Sequence, residues 1–331
     1  MAVPLAGDAP VAVTVVMATH AGAEGLDHSL QSIFAQQDVD LDCLLLADGA
    51  LDAGSEATLA TWLAREPRLQ LLRLPKAGLT QALSVGCGQA RGALIARLDV
   101  GDAMAPQRLS RQVQLMRTDP DCVLVTSDVE VCGPAWEPLW HYARPEPMAA
   151  PQRVDTVPPE QGIAMDIPHH ASVLFRASAY RAAGGYRPAF YFGQDWDLWY
   201  RLGGQGTFMH LPEPLTRVRL FARGISSRHW REQRAILHLA MACHAARSRG
   251  ESEQALLEQA AAIRPRPARR RPPLLDGRRA EGAYLIAEAL RRKGDRRCWT
   301  YFRQALRHGF WKPRVWLRSL QSLALLRCRD V

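Results

Sequence analysis

Through its first 126 residues the chain repeats one alternation, a short aliphatic run followed by a helical pattern. The runs are VAVTVVM at 11–17, CLLLA at 43–47, LQLLRL at 69–74, ALIARL at 93–98 and CVLVT at 122–126. Each is too short for a stand-alone helix and rich enough in Val, Ile and Leu for a strand buried on both faces. Between them, 25–37 carries Leu26, Leu30, Ile33 and Phe34 on one stripe, and 79–90 carries Leu79, Leu83 and Gly86. Strands alternating with helices imply an α/β fold with a mostly parallel, doubly wound sheet. Ligands of such sheets bind beyond the carboxyl ends of the strands. The residues to read for chemistry are therefore Thr19 and His20, Asp48 and Asp52, and Asp99 and Asp102. Strand ends are also polar simply because they meet water, so these tips alone leave both readings open.

Beyond Arg223 the pattern is helical. Residues 235–263 and 283–310 share a layout: an apolar helix, a Gly-Glu or Gly-Asp turn at Gly250 or Gly294, then a second helix. They resemble two degenerate tetratricopeptide-type hairpins. Two such units are too few for a free-standing solenoid and are expected to pack on the rest of the chain. The expected division is an α/β domain over 1–222 and an all-α C-terminal region over 223–331.

Charge follows the same division. The net +9 of the 331 residues hides 19 Lys or Arg against 5 Asp or Glu from 264 onward, and 23 against 28 before it. A basic C-terminal region without basic-aromatic interleaving argues against nucleic acid. Its expected partners are an anionic membrane surface or an acidic protein face, although a solvated basic face fits the same composition. Seven widely spaced cysteines with no Cys-x-x-Cys pair exclude a zinc ribbon and a disulfide framework. No leader pattern or membrane-length apolar run is evident, so a cytoplasmic protein, peripheral to the membrane at most, is expected.

Two acidic motifs carry the candidate chemistry: Arg97-Leu98-Asp99-Val100-Gly101-Asp102 after a strand, and Gln194-Asp195-Trp196-Asp197 further on. With VTVVMATHAGAEGLDHSLQSIFAQ at the start, LLLADGALD at 44–52, the stretch 76–113 and the stretch 168–202, they resemble family 2 glycosyltransferases of the GT-A fold. The likeness spans roughly 11–221. It implies an inverting enzyme that moves a sugar from a nucleoside-diphosphate donor, a UDP-sugar first among them, to a glycan or lipid-linked acceptor in surface-polysaccharide synthesis.

The resemblance also assigns roles. Asp195 matches the base that takes the acceptor's proton. Thr19 and Asp48 match residues that hold the nucleotide, and Arg97 would reach a phosphate or fix Asp99. Asp99 matches the residue that binds the donor diphosphate through a divalent cation, Mg2+ or Mn2+, with Asp102 a second possible ligand. His169 and Trp196 are candidates for the acceptor pocket. Plainer readings stand beside these: Asp195 and Asp197 as helix caps, and Trp196 and Trp199 as core residues.

The chain departs from the family pattern in several places. Asp-Val-Gly-Asp replaces Asp-Ala-Asp-Asp, Ala47 precedes Asp48 where a double Asp is usual, Gln194 stands in place of Glu, and Phe221 stands where a His is common. Asp102 turning inward as a ligand, weakened metal affinity, and a non-catalytic scaffold are the alternatives these departures open. A nucleotidyltransferase or hydrolase is disfavoured by the lack of a phosphate loop or nucleophile elbow.

Overall fold

The structure is a computed structural model and describes residues 12–20, 24–142, 152–154, 168–221, 229–265 and 276–327. The Arg/Pro-rich insert at 266–275 and most of the proline-rich segment 133–167 lie outside the described residues.

Four strands pair in parallel in the order β3-β2-β1-β4: β1 (Val13–Thr19), β2 (Leu41–Asp48), β3 (Leu69–Leu74) and β4 (Leu94–Arg97). Every residue of β2 is buried, as a strand covered on both faces requires. The crossovers contain helices α1 (Leu26–Phe34), α2 (Ala53–Arg65) and α3 (Leu79–Gln89). Asp52 proves to be the N-cap of α2, its carboxylate accepting the Ser55 backbone N–H at 3.0 Å. Gly86 lets α3 approach β2 closely, because a Cβ there would lie 2.5 Å from the Leu46 side chain.

Past β4 the sheet changes character. It continues β4-β9-β6-β10-β5, with β5 (Ala103–Met104), β6 (Cys122–Cys132), β9 (Leu174–Arg176) and β10 (Thr207–Arg219), and β7 (Pro138–Tyr142) pairs with β6. β9 runs antiparallel to both β4 and β6, and β10 antiparallel to β5 and to β8 (Gln152–Val154). The sheet is therefore mixed rather than mostly parallel. The strand-helix alternation that implies parallel pairing stops after β4, and the later strands are joined by connections that allow reversal.

Period-two alternation sends β1 side chains to two cores. Val13, Val15 and Met17 pack with Leu26, Leu30 and Ile33 of α1 and with Leu109, Val113 and Met116 of α4 (Arg108–Thr118). Val16 packs on the opposite face with Leu83, Phe175, Tyr180 of α5 (Ala177–Ala182), and Leu198 and Trp199 of α6 (Gln194–Leu202).

The chain divides into two compact units, 1–129 with 143–217 and 235–263, and 130–142 with 218–234 and 264–331. Both Gly-turn hairpins form. α7 (Trp230–Ser248) and α8 (Gln254–Ala262) flank Gly250, and α9 (Gly277–Arg292) and α10 (Cys298–Gly309) flank Gly294. Residues 235–263 belong to the first unit. There Ile236, Ala240, Cys243 and Ala260 join the core, and His244 stacks on Tyr200 at 4.8 Å between ring centres. In the second unit, α9, α10 and α11 (Pro313–Arg327) bury Ile286, Leu290, Phe302 and Val315. The Tyr301 hydroxyl donates to buried Glu137 there at 2.5 Å. The six described cysteines are all buried, and none of them is in a disulfide.

Candidate active site

The carboxyl ends of β1, β2 and β4 lie side by side, since Thr19 pairs with Ala47 and Val16 with Arg97 in register. Thr19 closes β1 with its hydroxyl 3.5 Å from the His20 carbonyl. Asp48 closes β2, and its carboxylate accepts the backbone N–H groups of Ala77 at 2.7 Å and Gly78 at 3.0 Å. It thereby ties the loop before α3 to the strand tip and is nearly buried.

Arg97 closes β4 and is wholly buried. Its guanidinium donates to the carbonyls of Val16 and Leu98, to His170 Nε2 at 3.3 Å, and to Asp99 Oδ1 at 2.5 Å. An arginine N–H can only donate, so His170 Nε2 carries no proton, and the Tyr186 hydroxyl 2.8 Å away donates to the same nitrogen. Burial, reinforced by the Arg97 charge, drives the His170 pKa down to about 3, in agreement with that neutral tautomer.

Asp99 is the exposed end of this chain of contacts, its side chain 40% accessible. Burial works to raise its pKa, but the Arg97 guanidinium, through its charge and its hydrogen bond, outweighs burial and holds the carboxyl below its ordinary value. The loop that follows turns at Gly101 with φ 100, a conformation that favours glycine. Ser29 clamps this turn, its hydroxyl accepting the Gly101 N–H at 2.9 Å and donating to the Asp102 carbonyl at 2.7 Å. Asp102 is buried, and its charge acts on buried Arg108. Among the described residues, no three His, Cys, Asp or Glu side chains are grouped to hold a metal ion.

On the far side of the cluster, α6 begins after Gly193 without a side-chain cap. Asp195 and Asp197 in its first turn have separate fates. Asp197 is buried and receives Arg187 through two hydrogen bonds and Arg201 at 2.7 Å and 3.1 Å. Asp195 is partly exposed and makes no ion pair among the described residues; burial raises its pKa to about 6, against hydrogen bonds from its own turn, with the Asp99 charge adding to the rise. Asp195 thus feels the charges of Asp99 and Arg97, and Tyr186 those of Arg97 and Asp195.

His169 precedes a short 3-10 turn (His170–Ser172), where its Nδ1 accepts the Ala171 N–H at 3.3 Å. Burial lowers its pKa, and the Asp99 charge opposes that fall. Trp196 is half-buried against the core beside Gly193, whereas Trp199 is fully buried. Phe221, in the other unit, lies under the Arg219 guanidinium at 4.4 Å from its ring centre.

Sequence reading missed two supports. Arg108 is wholly buried and donates to the carbonyls of Ala171 at 2.7 Å, Arg97 at 3.0 Å and Val173 at 3.2 Å, stapling the strand tip to the histidine turn. Burial lowers its pKa to about 9. Ser29 and Ser32 of α1, with Gln36 just past its end, form a polar stripe that bonds Met104 N at 3.1 Å and Ala105 O at 2.7 Å besides the turn at Gly101. The spacing of that stripe was visible in the sequence.

A family model described as Glycosyl transferase family 2 matches residues 14–181. Amylovoran biosynthesis glycosyltransferase AmsE of Erwinia amylovora is 27% identical over 199 residues, covering 59% of this chain and 71% of that protein. O-antigen biosynthesis glycosyltransferase WbnJ of Escherichia coli is 23% identical over 190 residues, covering 57% and 71%. Among solved structures, the mannosyltransferase PcManGT of Pyrobaculum calidifontis, in complex with GDP-Man and Mn2+, superposes with a TM-score of 0.52 at 16% identity over 98% of this chain and 88% of that one. TarS 1–349 of S. aureus does so with a TM-score of 0.55 at 11% identity, over 85% and 82%. The chain belongs to glycosyl transferase family 2 and is a glycosyltransferase with the α/β, GT-A-like fold of that family.

Proposed function

We propose that the chain transfers a sugar, with inversion, from a nucleoside-diphosphate donor to an acceptor hydroxyl, and that Asp195 is the base. One observation carries this reading. Asp195 has a partly exposed carboxyl with a pKa raised to about 6, so it is ionised at neutral pH yet basic enough to take a proton, and it shares its site with the Arg97-Asp99 pair. In the transfer, the acceptor oxygen bonds to the anomeric carbon as the bond from that carbon to the diphosphate breaks. The acceptor proton passes to Asp195, and the nucleoside diphosphate leaves with the bonding electrons.

Asp99 is the proposed anchor for the donor diphosphate, with Arg97 holding its orientation from beneath. The residues present fit a cation with Asp99 as its protein carboxylate and the remaining positions taken by phosphates and water, as Mg2+ tolerates. Such a cation, when bound, neutralises the charge that builds on the leaving diphosphate. Thr19 and Asp48, at adjacent strand tips, are proposed to shape the nucleotide site, Asp48 through the loop it ties down. His169 and Trp196 are the proposed acceptor-side wall.

The acceptor is proposed to be a glycan or lipid-linked sugar in polysaccharide assembly, a reading supported by the names of AmsE and WbnJ. UDP- and GDP-sugars are the donors to try first, since related folds are described with UDP and with GDP-Man. A panel of nucleotide sugars, screened for thermal stabilisation with and without Mn2+, tests the proposal. One donor raising the melting temperature supports it, and no response to any member of the panel refutes it.

A further inference from the structure

Eight large hydrophobic side chains are exposed among the described residues, and five of them, Phe310, Trp311, Trp316, Leu317 and Leu320, fall within eleven consecutive positions. Their placement reverses the usual polarity of a helix. On α11, Val315, Ser319 and Ser322 point inward and are buried, whereas Trp316, Leu317 and Leu320 point outward at 43–59% exposure with their neighbour Trp311. A surface helix ordinarily buries its large apolar side chains and exposes its serines.

The turn before α11 is built into the same face. Trp316 Nε1 donates to the Phe310 carbonyl at 2.7 Å, and the Phe310 and Trp311 rings meet edge to face at 5.4 Å. The one polar atom of the Trp316 ring is thus satisfied internally, leaving an apolar plate exposed.

Cations flank these residues along the chain. Arg303 and Arg307 lie one turn apart on α10, leading by helical spacing to Phe310 and Trp311, and both are exposed and make no ion pair among the described residues. Arg314 and Arg318 follow on α11; Arg314 lies 3.5 Å from Glu281 of α9, which also pairs with Lys312 at 2.6 Å. From 291 to 321 the only acidic residue is Asp295, against Arg291, Arg292, Lys293, Arg296, Arg297, Arg303, Arg307, Lys312, Arg314 and Arg318. No helix among the described residues is long and apolar enough to cross a membrane.

We propose that the face formed by Phe310, Trp311, Trp316, Leu317 and Leu320, with Arg303, Arg307, Arg314 and Arg318 flanking it along the chain, docks on the anionic surface of a lipid bilayer. The charge selects the occupant. A second copy of this face would bring like charges together, whereas an anionic leaflet matches the cations while its acyl boundary takes the aromatic and leucine side chains. Each arginine near such a surface adds about fivefold to partitioning, and the effect weakens with salt.

The test uses the full chain with vesicles of phosphatidylcholine alone or mixed with phosphatidylglycerol, read by co-sedimentation and tryptophan emission. The expected result is binding to the anionic vesicles that weakens with added salt, together with a blue shift of the emission. The double variant Trp316→Glu/Leu320→Glu should lose at least about tenfold in binding, while Arg303→Glu/Arg307→Glu should lose the preference for anionic vesicles. Both pairs are exposed, and an unchanged circular-dichroism melt shows that the fold is kept. Failure of the parent chain to bind, or equal binding by the Trp316/Leu320 variant, overturns the proposal. So does a dimer seen by light scattering that Trp316→Glu dissociates while vesicle binding is absent.

Discussion

Arg97 Nη2 lies 2.5 Å from Asp99 Oδ1, and the arginine is wholly buried while the aspartate side chain is 40% exposed. The protein therefore carries its own cation directly beneath the carboxylate at the strand tip. That cation is itself fixed by two backbone carbonyls and by neutral His170.

Removing the cation should damage both fold and binding. Arg97→Met leaves the Val16 and Leu98 carbonyls without their donor and frees Asp99. Urea denaturation is expected to show a loss of about 3 kcal/mol, and titration of the folded protein a weaker affinity for nucleoside diphosphate. Unaltered stability would mean that the buried contacts are easily replaced.

Restoring the family's central carboxylate should not help. At φ 100, Gly101→Asp strains the turn that Ser29 clamps, at a cost of about 1–3 kcal/mol. Stability should fall with no gain in turnover, as measured by thermal melts beside an activity assay. A more stable or faster variant would contradict the reading of this loop.

The two acidic residues of α6 should separate cleanly. Asp197→Ala leaves Arg187 and Arg201 without their shared carboxylate and is expected to cost about 3–5 kcal/mol in denaturant. At a temperature where it remains folded, its kcat should stay near that of the parent. A large kcat loss in fully folded Asp197→Ala would argue against a purely structural role.

The strand tips, the first four strands, the start of β6 and both Gly-turn hairpins were legible because short aliphatic runs, amphipathic stripes and glycine turns are local signals. The rest of the antiparallel half was not. β9 is three residues long inside a mixed segment, and β10 carries Pro212 and Pro214 with charged neighbours, so neither shows clear periodicity. The candidate site was legible to a similar depth. Asp99 and Asp195 stood out as acidic residues after a strand and at a helix start, while Arg108 looked like any surface arginine on an amphipathic helix. Its burial depends on three carbonyls from positions far along the chain, which no local pattern reveals. Asp52 illustrates the converse, a strand-tip aspartate whose local sequence also fits the cap it becomes.

The raised pKa of Asp195 gives a signed pH dependence. A carboxyl whose pKa moves from 3.8 unfolded to about 6 folded stabilises the fold fully below pH 3.8, and that contribution is lost as pH rises through about 6. Asp195→Asn should therefore stabilise the protein at neutral pH by on the order of 1 kcal/mol, discounted for its partial exposure. Activity has the opposite sign, with kcat/KM of the parent falling below about pH 6 as the base is protonated. Thermal melts and rate profiles across that range check both signs, and a melt unaffected by the substitution at neutral pH would contradict the assigned shift.

The most direct measurement is single-turnover transfer by Asp195→Asn, with donor binding followed in parallel. The variant should bind nucleoside diphosphate like the parent while the chemical step slows by about 10²–10⁴-fold. An unchanged rate of transfer in the folded, donor-bound variant would show that Asp195 is not the base.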